Sequence, residues 1–478
     1  MCTSIVAGKK ATGQEVILLA RNEDFPSNNC WNKYMVHRSQ PAYANEDMAA
    51  NGVWTLGNGL QVPIPENKYA YNAVPDAAGY MEATMPIGDR YFFEERGINE
   101  KNLAVSATNS LDINDKAKEA DPLLASKGIA ESIIPTLILP QADSAIQAVK
   151  LLGNYIEVYG ASEVNGVLFG DPGEAWYFEN GSAHHWIAVR VPDDCYIAVA
   201  NGMRVHGIDL DDHENVLHST GLYEFVAGHK LLSKPDRHHF NFAKAFGILG
   251  NPYNDDRIWL AQKILTPSKK QKPGMQQYPL FLKPDKKITV RDVMGVLRAT
   301  YKGTVLEGKA TRPIGVVFTA ESHIMTLDAT MPAELCGIIW QAISSPLGAP
   351  YMPLYRVMDD IPAEYTLGDS QYDTLSSYWA FKGLFALAFN KAGDMAWIDE
   401  IWREYEEQSV LEITNMNAML REMYKTDKAA AIGFAKRYST GIACQTVAQA
   451  NHVRDNLVTE LTNAMLKEEE KVMLGRYK

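Results

Sequence analysis

Cysteine is scarce in this chain. The 478 residues contain 5, at positions 2, 30, 195, 336 and 444. They are odd in number and widely spaced, with no CxxC and no Cys/His cluster. This excludes a disulfide framework and gives no support to a structural zinc site; it reads as reduced thiols in a cytoplasm. Long apolar runs are also missing. No stretch reaches the roughly 18 uninterrupted apolar residues of a membrane helix, and the longest candidate, residues 336–355, is broken by Pro, Gly and Ser. The opening MCTSIVAGKK has no basic n-region, and Lys9 and Lys10 cut its short apolar run, so it does not read as a secretory signal. Positive charge is in deficit, 46 Lys and Arg against 58 Asp and Glu, for a net charge of -12. That balance argues against nucleic acid or an anionic membrane as a general partner.

Several chemical motifs are absent as well. The nearest approach to a phosphate-binding loop, residues 303–310 (GTVLEGKA), ends in Ala310 and lacks the hydroxyl that would hold magnesium. No GxGxxG follows a strand, no GxSxG elbow occurs, and His213 and His218 lack the spacing of an HExxH zinc pair. A nucleotide enzyme, a serine hydrolase and a zinc protease are therefore unsupported, and no metal or organic cofactor is expected.

What is present is ordinary globular composition, 46% hydrophobic and 22% charged, in a chain long enough to bury a large core. Residues 3–8 and 15–21 are β-rich and joined by a Gly-containing turn, which predicts a hairpin with Cys2 opposite Arg21. Residues 164–170, 175–180, 186–191 and 195–201 are separated by turn signals and predict a four-stranded meander. A further strand pair is predicted at 313–319 and 323–329. Helical patterns cover 122–140, 143–160 and 291–301, and from about 373 the chain reads as almost entirely helical, with a break near 390–394. The expected class is α+β: strands in two layers with helices outside.

Cys2 follows the initiator methionine. Methionine is removed when the next side chain is small, and removal would leave one residue with both a thiol and a free α-amine. Such an amine titrates near about 8 and a free thiol near about 8.5, so the amine can accept the thiol proton. A neighbouring Arg would favour thiolate. Residues 21–24 (RNED) place Arg21 and Asp24 at a turn at the same end of the hairpin, with Asp24 suited to hold the ammonium or the thiol. Taken alone, RNED equally reads as a charged exit from a strand.

MCTSIVAGKK followed by LARNED resembles the start of the N-terminal nucleophile (Ntn) hydrolases that include bile salt hydrolases, penicillin V acylases and the thiol dipeptidases of the dipeptidase A family. Residues 97–110 (GINEKNLAVSATNS) resemble the block whose final Asn, here Asn109, contributes to the oxyanion hole. Residues 196–205 (YIAVANGMRV) resemble the strand whose Asn, here Asn201, donates a side-chain N–H there. Residues 251–265 resemble the region that supplies a second active-site Arg, here Arg257. Residues 312–327 and 346–355 look like dipeptidase A relatives rather than acylases. On the residues alone, Asn201 before Gly202 also reads as a turn, Asn109 as a cap or loop residue, and Arg257 as a partner of Asp255 or Asp256.

The likeness covers residues 1 to about 355. It implies a four-layer αββα Ntn sandwich, expected over 1–370, and the helical pattern beyond it predicts an extension over 371–478, packed on the core or on a partner subunit. It implies a cysteine-type dipeptidase that cleaves a small peptide through Cys2, Arg21, Asp24, Asn109, Asn201 and Arg257 by way of a thioester, with a homo-oligomer favoured. An acylase using the same nucleophile on a bile salt or penicillin-type amide is the alternative, and a non-enzymatic interaction protein with the same fold is a second.

Overall fold

Runs of aliphatic and β-branched side chains set the first two strands. β1 (Thr3–Ala7) and β2 (Ile17–Asp24) pair antiparallel, with Ser4 opposite Arg21 and Thr3 opposite Asn22. The register therefore differs by two residues from the expected one. The RNED run is not a turn either: all of β2 is buried, through Asp24. The computed structural model describes residues 2–25, 30–39, 52–55, 59–64, 68–77, 94–309, 312–389 and 391–475. The expected removal of Met1 concerns a residue outside these.

The remaining strands are β3 (Val36–Arg38), β4 (Val53–Thr55), β5 (Gln61–Pro63), β6 (Tyr71–Pro75), β7 (Glu94–Asn99), β8 (Ala104–Ser110), β9 (Asn165–Gly170), β10 (Ala175–Asn180), β11 (Trp186–Arg190), β12 (Tyr196–Val199), β13 (His206–Ile208), β14 (Val216–His218), β15 (Phe240–Asn241), β16 (Thr319–Leu327), β17 (Gly337–Ile343) and β18 (Met352–Tyr355). One antiparallel sheet runs β12-β1-β2-β16-β17-β18, and a second runs β14-β11-β10-β9-β8-β7-β6-β3; β4–β5 and β13–β15 form two small ribbons.

Two strand expectations are corrected by this topology. The meander holds for β9, β10 and β11, but β12 leaves it and pairs with β1 in the other sheet. A turn does precede residue 196, but which sheet the next strand joins is decided by tertiary packing. Likewise, residues 313–318 are not a strand. β16 pairs with β2 and with β17, so its hairpin partner lies after it in sequence. Pro313 and Gly315 withhold the backbone continuity that a strand needs there.

The two sheets face each other across a core that includes Ile5 and Leu19 from one and Leu168 and Tyr177 from the other. Each such side chain contributes about 1.5–3 kcal/mol by leaving water. The sheets approach closely at Gly170, where a Cβ would lie 2.5 Å from Leu19 Cδ1. Helix Ala145–Tyr159, as expected, packs with helix Ile134–Ile138 on the eight-stranded sheet, burying Leu137, Val149 and Leu152 against Phe169 and Phe178. The helical reading of 122–140 contracts to a 3-10 turn Glu131–Ile133 and that short helix. Helix Val290–Leu297, started by a Thr289/Asp292 capping box, packs on β2 and β16. Helices Ser377–Ala388, Ala392–Thr426 and Lys428–Gly475 pack on one another and on β17 and β18 of the six-stranded sheet. Among the described residues, no helix is long and apolar enough to cross a membrane.

Candidate active site

Cys2 lies one residue before β1, on the same face as Ser4, because side chains two apart along a strand share a face. Arg21 pairs with Ser4, so it is a diagonal neighbour of Cys2, within reach of a long side chain. Its Nη2 lies 3.0 Å from the Cys2 Sγ, and its Nη1 lies 2.6 Å from Glu95 Oε2 on β7. The juxtaposition expected from sequence is thus present, in a different register. Cys2 is 3% exposed and Arg21 2%. Burial would lower the Arg21 pKa, but Cys2, Glu95, Glu23 and Glu321 outweigh it and hold the guanidinium well above its ordinary value.

Asn201 follows β12, the strand that crosses to pair with β1. Its Oδ1 accepts from the Cys2 backbone nitrogen at 3.1 Å and from Arg257 Nη2 at 2.8 Å, while its Nδ2 donates to the Ser110 carbonyl at 2.9 Å. Asn109, on β8 of the other sheet, accepts from Ser4 Oγ at 2.6 Å and donates to the Ala200 carbonyl at 3.1 Å. It joins the N-terminal strand, the end of β12 and the eight-stranded sheet at one point.

Arg257 comes from helix Pro252–Leu265, which begins with an Asn251 cap and Pro252 in its first turn. Its guanidinium donates to Cys2 O (2.7 Å), Thr3 Oγ1 (3.0 Å), Asn201 Oδ1, Asn254 Oδ1 (3.0 Å) and Tyr253 O (2.9 Å). Every nitrogen of the group is engaged. Burial, and then the nearby Arg312 charge, push Arg257 down to about 9. The alternative reading of Arg257 as a partner of Asp255 or Asp256 is not the pairing observed.

Asp24 ends β2. Its carboxylate binds Arg312 and accepts from Thr319 Oγ1 at 2.6 Å. The Arg312 guanidinium also lies 5.3 Å from the Tyr253 ring centre, and the Arg257 guanidinium 4.9 Å from the same ring. The structure thus brings Cys2, Arg21, Asn201 and Arg257 into one hydrogen-bonded group, with Asn109 tied to it through Ser4 and Ala200 and Asp24 through its Arg312 partner.

Sequence reasoning missed Glu95, Arg312 and Asn254. The one available signal was the run Glu94-Glu95-Arg96 in a segment that forms a buried strand; charge there is tolerated only with partners. For metal binding, Asp209, Asp211 and His238 place ligand atoms within 4.8 Å of one another, but two of the three are exposed and Asp211 already pairs with Arg237 at 2.7 Å.

The model of peptidase family C69 matches residues 1–401 of this chain. A probable dipeptidase of Latilactobacillus sakei is 33% identical over 399 residues, 80% of each chain. A probable dipeptidase A of Streptococcus pyogenes is 32% identical over 403 residues, 81% of this chain and 83% of that one. A probable dipeptidase B of the same species is 28% identical over 480 residues, 96% of this chain and 93% of that one.

Proposed function

This chain belongs to peptidase family C69, and from that premise we propose that it is a thiol dipeptidase whose nucleophile is Cys2 in a mature form that begins at that residue. The relatives' dipeptidase names support the substrate class. The observation that carries the mechanism is the Cys2 thiol held 3.0 Å from Arg21 while its backbone nitrogen rests on Asn201. The two sheets with helices packed on each support the finer reading of the fold as a four-layer αββα Ntn sandwich.

In this mechanism the Cys2 sulfur attacks the peptide carbonyl. The freed α-amine of Cys2, held by Asn201 Oδ1, takes the thiol proton and delivers it to the leaving amine. Arg21 favours the thiolate. The oxyanion receives the second Nδ2 hydrogen of Asn201 and the backbone N–H of Asn109, each such donor being worth about 3 kcal/mol of barrier. The C–N bond breaks, a thioester forms, and water attacks it to release the acid and regenerate the thiol. Arg257 acts as a positioning residue: it fixes the Cys2 carbonyl and the Asn201 amide, with its own donors already committed.

The test is Cys2→Ala and Cys2→Ser in the purified chain, with product analysis on dipeptides and on N-acyl amides of the bile salt and penicillin types. Both substitutions should abolish dipeptide cleavage. Full activity in Cys2→Ala ends the proposal, and turnover of N-acyl amides without dipeptides reassigns the substrate.

A further inference from the structure

Behind Arg21, on the side away from the sulfur, lies a group of buried charges that the mechanism above does not use. Lys33 follows β2 in the chain and has a side chain that is 0% exposed. Its Nζ lies 2.6 Å from Asp76, 3.0 Å from Glu23 and 3.9 Å from Glu95. Glu95 is the same carboxylate that holds Arg21 at 2.6 Å. The charges therefore form a chain: Asp76 and Glu23, then Lys33, then Glu95, then Arg21, then the Cys2 thiol. It bridges the two sheets, with Arg21 and Glu23 on β2 of one, Glu95 on β7 of the other and Asp76 just past β6.

Two cations in this group face three carboxylates. Further negative charge presses on it: Glu131 acts on Asp76 and Glu95, and Glu321 on Glu23 and Arg21. Trp31 Nε1 donates to Asp76 at 2.7 Å. Buried carboxylates are costly to ionise unless paired, and here one ammonium serves three of them. Without it, the guanidinium of Arg21 would have to answer Glu95 and Glu23 by itself, and less of its charge would act on the sulfur.

We propose that Lys33 is a positioning residue for the active-site thiol: by offsetting part of the negative charge of Glu23, Asp76 and Glu95 it leaves more of the charge of Arg21 directed at Cys2. Removing a cation near an acid raises the pH at which that acid ionises, and protonation of neighbouring carboxylates dampens this shift without reversing it. The inference rests on the reading of Cys2 as nucleophile, so the readout is chosen to be independent of peptidase activity.

The experiment is iodoacetamide labelling of the full chain across the neutral pH range, with modification of the Cys2 peptide followed by mass spectrometry. Lys33→Met should slow Cys2 labelling at neutral pH by roughly tenfold and move the rate–pH curve to higher pH. Lys33→Arg, which keeps the charge, should stay close to the parent curve. Lys33→Met combined with Asp76→Asn removes one carboxylate along with the cation and should return toward the parent curve; that return also supports the inference where Lys33→Met alone fails to fold. A folded Lys33→Met chain with the parent curve overturns it, as does a double variant that shows no return. Failure of both to fold assigns Lys33 to the fold and overturns it equally. Peptidase activity surviving in Cys2→Ala would instead sink the functional reading and leave this comparison intact.

Discussion

At the scale of single residues, the orientation of one amide decides what the site can do. Arg257 Nη2 and the Cys2 backbone nitrogen both donate to the same atom of Asn201, so that atom must be oxygen and the NH2 group must face the other way. Asn201→Asp keeps the acceptor for both partners, removes the donors and adds a negative charge where the oxyanion would form. It should lower kcat about 10²–10³-fold with little change in KM, measured by steady-state kinetics on a dipeptide. Arg312→Gln withdraws the guanidinium from the fully buried Asp24 carboxylate. Breaking a buried pair from one side costs about 3–5 kcal/mol, so the midpoint of urea unfolding should fall markedly, while Arg312→Lys should lose less.

Among elements, the contact between β2 and β9 is a tight constraint. A methyl group at Gly170 would sit 2.5 Å from Leu19 Cδ1, so Gly170→Ala should destabilise the chain by about 1–3 kcal/mol through overpacking. Shortening the opposing side chain frees that space. The double variant Gly170→Ala, Leu19→Ala should therefore be less destabilised than the sum of the two single variants, a coupling read from thermal melts of all four chains. The helix Lys428–Gly475 is constrained along only part of its length. Its buried positions run from Ala431 to Leu457, and its 48 residues span about 72 Å at 1.5 Å each. Deletion after residue 462 should shift Tm by less than about 2 °C, whereas Val453→Asp should lower it severely by placing a charge in the buried seam.

For the whole molecule, buried carboxylates couple stability to pH. Glu179 accepts from the backbone nitrogens of Arg204 and Val205 and from the Tyr177 hydroxyl. Burial nevertheless dominates and raises its pKa from 4.5 to about 7. A carboxyl raised on folding binds its proton more tightly in the folded state. Its stabilising contribution is complete below its unfolded value and is lost as pH rises through about 7. Thermal melts on either side of that window should show a smaller loss of Tm with rising pH in Glu179→Gln than in the parent chain. Equal slopes would remove Glu179 as a source of the pH dependence.

By itself the sequence determined the local elements and pointed to Cys2 as the candidate thiol. Aliphatic runs and turn signals marked β1, β2, β9, β10 and β11; the 3.6-residue period marked helix 145–159 and the C-terminal helices; and Cys2 with RNED marked the candidate site. These are short-range properties, carried by propensity and spacing. Tertiary structure alone decided that β12 leaves its neighbours to lie beside β1, which brings Asn201 to the Cys2 nitrogen. It also decided that β16 pairs with β2, and that Lys33, Asp76, Glu95 and Arg312 converge on Arg21 and Asp24. Strand partners distant in the chain are chosen by which faces bury together, and buried charges by which opposite charge is at hand; neither is written in the residues next door.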